Sequence, residues 1–245
     1  LWSFGPLVVR YMDEPRLVPW QYIFARGLTI FTVLNFYLFF EEGKNFYKNY
    51  LKVGVSGLIG GCGLGLAMIT FIYSITHTTA AITLLCLAAM PFFTALLGFL
   101  FLKERISFNV WVAIIIATIG IIIIALGNTE KNSVIGLIFG MTSSIGFSVF
   151  SVTLRWRKET PKFTTVAIAG LFCVIVALIF IAINESTILS TSYNGAMFSL
   201  HGVIVCMGLI LYSIGSKAIP AAELTLLSLT EVIGGIFWVW IPILG

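Results

Sequence analysis

Aspartate is nearly missing from this chain: among 245 residues it occurs once, as Asp13. An intramembrane protease or lipid-modifying transferase needs paired aspartates or a His-x-x-x-His cluster at membrane depth. Neither is present, so an enzyme is not expected. Histidine is limited to His77 and His201, and no His, Cys and carboxylate spacing suits a metal ion. Cys62, Cys86, Cys173 and Cys206 lie in apolar runs, never at the C-x-x-C spacing of zinc or redox sites, and read as small packing residues. No GxxxxGK(S/T) loop offers a route to ATP. No metal, cofactor or nucleic-acid partner is therefore expected.

Charge of either sign is scarce as well. Asp, Glu, Lys and Arg make up 10% of the chain, where a soluble domain carries about 25%. Apolar residues supply 59%, and the mean hydropathy is +1.07. Such a chain cannot cover itself with polar surface, so lipid is its solvent and an all-α polytopic bundle its expected fold. A span needs about 20 apolar residues. Nine hydrophobic segments are visible: a truncated first within 1–11, then 19–40, 53–73, 79–104, 108–126, 134–154, 163–183, 196–216, and a ninth from Pro220 onward. The start at Leu1, inside a hydrophobic segment, reads as a piece of a longer polypeptide. In the third segment Gly57, Gly61 and Gly65 put a side-chain-free stripe along one helix face, which predicts close approach of a neighbour. In the fourth, Pro91 removes a backbone donor and predicts a break that must face protein or a cavity.

Lysine and arginine alternate between the two ends of these segments. Connections after segments two, four, six and eight hold Lys44, Lys48, Lys52, Lys103, Arg105, Arg155, Arg157, Lys158, Lys162 and Lys217; those after one, three, five and seven hold only Arg10, Arg16 and Lys131. The first set marks the expected cytoplasmic face, here called the basic face. Segments four and nine then run in opposite directions. They are also alike: aligning Ala80-Ala81 with Ala221-Ala222, an offset of 141 (221 − 80), superposes Leu85 on Leu226 and Met90-Pro91 on Glu231-Val232. Related segments of opposite orientation are the mark of an inverted repeat.

Three passages carry a resemblance to the EamA group of the drug/metabolite transporter superfamily. They are MPFFTALLGFLFLKERISFNVWVAIIIATIGIIIIALG, the small-residue sixth segment ending in RWRK, and IPAAELTLLSLTEVIGGIFWVWIPILG. Pro91, Leu102, Glu104, Trp111, Gly120 and Gly127 match the family pattern of a mid-helix proline, a leucine-rich stretch ending in an acid, then tryptophan and spaced glycines. In the second half the usual Glu-Pro pair appears as Glu231-Val232, so the helix-breaking proline is replaced. The resemblance implies ten helices in two inverted repeats, here 1–127 and 128–245, with nine helices visible, the first truncated and the tenth missing beyond Gly245. It also implies a secondary carrier in a bacterial inner membrane, often an exporter of amino acids or other small metabolites, with a homodimer left open.

Glu231 is the sharpest candidate, because an ionisable residue about halfway along a span is costly when bare and faces an interior site by default. It would bind substrate or relay a proton; its bland alternative is a structural carboxyl bonded to a neighbouring helix. Glu223 lies about 12 Å earlier on the same segment at 1.5 Å per residue. It either attracts a cationic group at the basic face or complements the helix dipole. Arg26, two turns into segment two, either holds a substrate carboxylate or snorkels to the interface. His77 is expected at the outer mouth with a proton-handling role, whereas His201 is expected to be hydrogen-bonded packing. Tyr73 and Tyr212, each followed by Ser-Ile, are the aromatics best suited to stack on a substrate, while Trp2, Trp111 and Trp238 read as interface anchors.

The expected function is export of a small metabolite such as an amino acid or amine, by alternating access and with proton coupling. The site is expected near the midplane, around segments four and nine, with walls from two, three, seven and eight. A nucleotide-sugar or organophosphate exchanger would need several interior cations, and Arg26 is the one well inside. A non-transporting membrane scaffold is the remaining alternative.

Overall fold

The computed structural model describes residues 1–104, 107–127, 134–157 and 159–240. Arg105, Lys131, Lys158 and Gly245, used in the charge count and the terminal expectation, lie outside the described residues. After a short 3-10 turn (Trp2–Phe4), the chain forms α1 (Gly5–Arg10), α2 (Pro19–Glu42), α3 (Lys48–Lys52) and α4 (Gly54–His77). The fourth segment comprises α5 (Ala80–Leu87), α6 (Met90–Leu97) and a π turn (Gly98–Leu102). Then come α7 (Phe108–Gly127), α8 (Val134–Trp156), α9 (Lys162–Ile183), α10 (Ser192–Gly215), α11 (Ala221–Ser228) and α12 (Thr230–Trp240). Among the described residues six stretches are long and apolar enough to cross a membrane, the interrupted Ile82–Leu102 included. The protein is an all-α, polytopic membrane protein.

Two boundaries differ most from the sequence expectation. The third segment continues to His77 rather than stopping at Tyr73, with Thr76 hydroxyl bonded back to the Ile72 carbonyl (2.7 Å). The eighth begins at Ser192 because Thr191 caps it, its hydroxyl accepting from the Asn194 amide.

α4 is central. Its Gly57, Gly61 and Gly65 face Thr165, Ile168 and Phe172 of α9, as the glycine stripe predicts. A second seam was not anticipated: Gly63 abuts Gly146 and Val149 of α8. α2 packs on α9 and α10. Lipid tails give helices no hydrophobic reason to associate, so close packing of small residues carries cohesion here. Phe36, Phe99, Ile116, Ile175 and Leu211 point outward and remain exposed, as lipid-facing residues do.

α5 packs against α12, and α6 against α11, so segments four and nine run antiparallel. Both are broken. Pro91 cannot donate to the Leu87 carbonyl, and α5 ends at that turn. Serines of α8 fill part of the gap: Ser144 donates to the Cys86 carbonyl (2.6 Å) and Ser148 to that of Met90 (3.0 Å). The matching break at Leu229 forms without a proline, contrary to what Val232 in place of proline suggests. There Ser228 donates to the Thr225 carbonyl (2.7 Å) and Thr230 to that of Leu227 (3.0 Å). Hydroxyls bonded back to their own helix compete with its ladder and bend it.

Candidate functional site

The break at Leu229 determines where Glu231 lies. It falls in the first turn of α12, where unpaired amides favour a negative charge. Its side chain borders two cavities. The first, of about 80 Å³, is lined by α1, α2, α4, α5, α6, α8, α10 and α12, with Arg26, Phe71, Met90, Phe147, His201 and Glu231 among its residues. The second, of about 300 Å³, lies between α10, α11 and the start of the chain, and shares Trp2 and Glu231 with the first. The expected wall from segment seven is not part of the first cavity; segments one and six take its place.

Most polar groups around this chamber are already tied. The Tyr22 hydroxyl and His201 Nδ1 are hydrogen-bonded, and Tyr22 stacks on Phe198 at 4.6 Å. The His201 ring lies so close to α1 that a Cβ on Gly5 would stand 2.9 Å from Nε2, which only glycine avoids. Ser143 donates to the Ala67 carbonyl (2.8 Å), and the Trp2 indole donates to that of Val205 (3.2 Å). Trp2 rests on Phe147 and Tyr212 (both 5.6 Å), so it is an interior residue rather than the interface anchor expected of it. Arg26 is buried beneath the Phe71 ring (5.6 Å), and its Nε and Nη1 have no hydrogen-bond partner.

The chamber in this broken-helix bundle thus holds one arginine and one glutamate. A family profile described as the EamA-like transporter family matches residues 1–126. The chain belongs to this family. Two Helicobacter pylori proteins, each named an uncharacterized transporter, are 28% and 27% identical to it over 144 residues, 58% of this chain and 47% of theirs. The pseudopaline exporter CntI of Pseudomonas aeruginosa is 23% identical over 189 residues, 75% of this chain and 65% of its own. The chain thus spans about half the length of the H. pylori relatives it matches. A solved crystal structure superposes on 100% of this chain and 85% of its own with a TM-score of 0.69 at 15% identity, a likeness of fold.

In this EamA-like protein the other sequence candidates do not line the first cavity. Tyr73 and His77 stack on each other (5.5 Å) near the C-terminal end of α4, beside Trp20 and Phe139, and His77 is exposed. Tyr212 is buried near the C-terminal end of α10. It bonds to Ser151 (2.7 Å) and lines only the second cavity. Glu223 is exposed in the first turn of α11, in a cleft shared with Glu104 and Ser107. Trp238 bonds to Ser3 (3.1 Å) and stacks on Phe4, while Trp111 is 40% exposed.

A cluster at the basic face escaped the sequence reading. After the π turn, Lys103 adopts a left-handed conformation (φ 55°) that turns the chain and delivers Glu104 to Arg155 at the end of α8 (2.6 Å). Arg155 also donates to the carbonyls of Ser216 (3.3 Å) and Ile219 (2.8 Å), and Lys162 reaches the Ser216 hydroxyl (2.9 Å). One guanidinium thus joins three connections. Positive-inside counting had placed all of these residues on one face, but gave no means of pairing them. On the opposite face Asn194 exchanges two bonds with the Asp13 backbone (both 2.9 Å), and Gln21 reaches the Thr187 carbonyl (2.9 Å).

Proposed function

We propose that the protein is a secondary carrier that exports a small metabolite by alternating access, with proton coupling through Glu231. The observation that carries this reading is the placement of that carboxyl. It lines the chamber, in the first turn of a half-helix, between segments that cross antiparallel. The packing supports an inverted repeat with halves 1–127 and 128–245. Exchanging α1, α2, α4 and α5–α6 for α8, α9, α10 and α11–α12 turns the contact of α4 with α8 into that of α10 with α1. It likewise turns α4 with α9 into α10 with α2, and α6 with α11 into α12 with α5. Export is the direction named for the pseudopaline relative.

Polar contacts tie connections together at both faces, and the cavity is about 80 Å³, whereas pockets for drug-sized ligands are roughly 300–1,000 Å³. On this reading the cavity must widen to admit a solute, and widening toward the basic face requires Arg155 to release its partners. Glu104→Gln is expected to raise labelling of a cysteine introduced at Ser216 by a membrane-impermeant maleimide several-fold. The accompanying stability change should be about 1 kcal/mol, as for an ion pair still partly open to solvent. Unchanged labelling would leave the pair a cohesive role only.

Full-length protein in proteoliposomes, given an imposed pH gradient and a panel of amino acids, amines and nucleosides, tests the carrier itself. Saturable flux that a protonophore collapses is expected. The absence of substrate-dependent flux across the panel overturns the reading.

A further inference from the structure

We propose that the transported species carries a carboxylate and that Arg26 receives it. This deepens the carrier reading and rests on it. Arg26 is 6% exposed and lines both the first cavity and a small adjoining pocket among α2, α4 and α9. A guanidinium keeps its charge under all working conditions and presents five donors in a planar fork. Here Nε and Nη1 are buried without a partner, and the only ion pair among the described residues is that of Arg155 with Glu104. The contact with the Phe71 ring supplies part of the missing stabilisation but accepts no hydrogen bond in the guanidinium plane. A buried cation left in that condition is costly, and an anion bound in the chamber would offset that cost.

The surroundings restrict what that occupant is. Ser143 and Trp2 spend their donors on backbone carbonyls, and His201 is held by Tyr22. Arg26 is therefore the one free, charged donor in the described lining, and Glu231 is the other ionisable side chain there. A phosphate dianion would meet a single cation, too few to neutralise it. A carboxylate monoanion matches the fork with two parallel bonds. Leu64, Met68, Leu84 and Leu87 furnish apolar walls for what is attached to it.

The test uses the purified full-length protein, its Arg26→Met and Arg26→Lys variants, and four probes: L-leucine, isovalerate, isoamylamine and chloride. Thermal unfolding is expected to shift upward with L-leucine and isovalerate, but not with isoamylamine or chloride. Arg26→Met should weaken the apparent affinity at least tenfold, and Arg26→Lys should retain part of it. Without any probe, Arg26→Met is expected to unfold at the same temperature as the parent or higher, because it removes an unpaired buried charge. A lower temperature would assign Arg26 a structural role and overturn the proposal. So would equal stabilisation by isoamylamine or chloride, no stabilisation by either carboxylate, or full stabilisation of Arg26→Met. The carrier reading fails separately: carboxylates would bind in an Arg26-dependent way while proteoliposomes showed no flux.

Discussion

Replacing Glu231 with glutamine is expected to reduce pH-gradient-driven flux by at least tenfold while leaving the fold intact. The carboxyl lines both cavities and makes no ion pair or side-chain hydrogen bond among the described residues. Glutamine keeps its size and loses only its ability to take up and release a proton. Stability should therefore change by no more than about 1 kcal/mol, the scale of a substitution that breaks no packed contact. The two halves of the transport cycle can be measured separately. Exchange of labelled for unlabelled substrate at equal pH on both sides needs no net proton movement, whereas uphill flux does. Loss of the second with retention of the first is the expected pattern for a coupling group. Wild-type flux with unchanged pH dependence would remove Glu231 from the mechanism, and loss of folded protein would make it a structural carboxyl.

Arg26 and Glu231 were legible in the sequence for one reason: a charge at membrane depth has to face inward, whatever surrounds it. Segment positions were legible because apolar runs of spanning length have few alternatives. The chamber's apolar lining was not. A helix that is apolar all round carries no periodic signal for which side faces its neighbours, so Trp2, Phe71 and Phe147 look no different from lipid-facing Phe36 or Phe99. The shared Tyr-Ser-Ile of Tyr73 and Tyr212 was also a weak guide. Each sits near the C-terminal end of its helix, yet Tyr212 packs on Trp2 and Phe147 of the chamber lining whereas Tyr73 packs on His77 and Trp20 away from it. The break at Leu229 depended on hydroxyls choosing their own helix as acceptor, which composition alone does not reveal.

Introducing a side chain at Gly146 should have the largest effect on folding, because its neighbours are backbone atoms that cannot rotate away. A Cβ there would stand 2.6 Å from the Gly63 carbonyl oxygen and 3.1 Å from the Ala67 amide nitrogen, and one on Gly63 would stand 3.1 Å from the Gly146 carbonyl oxygen. The same reciprocal contact joins α2 to α9, where a Cβ on Gly170 meets the Gly27 carbonyl at 2.8 Å and one on Gly27 meets that of Gly170 at 2.9 Å. These two crossings hold the first-half helices against the second-half ones, and in lipid little else draws them together. Gly146→Ala is expected to cost about 1–3 kcal/mol, as overpacking of a tight core does, and Gly146→Leu to leave no monodisperse protein after detergent extraction. Gly195 is the control. It too lies within a helix, α10, but a Cβ there meets nothing within 4 Å, so Gly195→Ala should be neutral or stabilising by up to about 1 kcal/mol through helix propensity. If Gly146→Ala unfolded at the same temperature as Gly195→Ala, the α4–α8 seam would be looser than drawn. A seam that loose could not act as the fixed line against which the broken segments move.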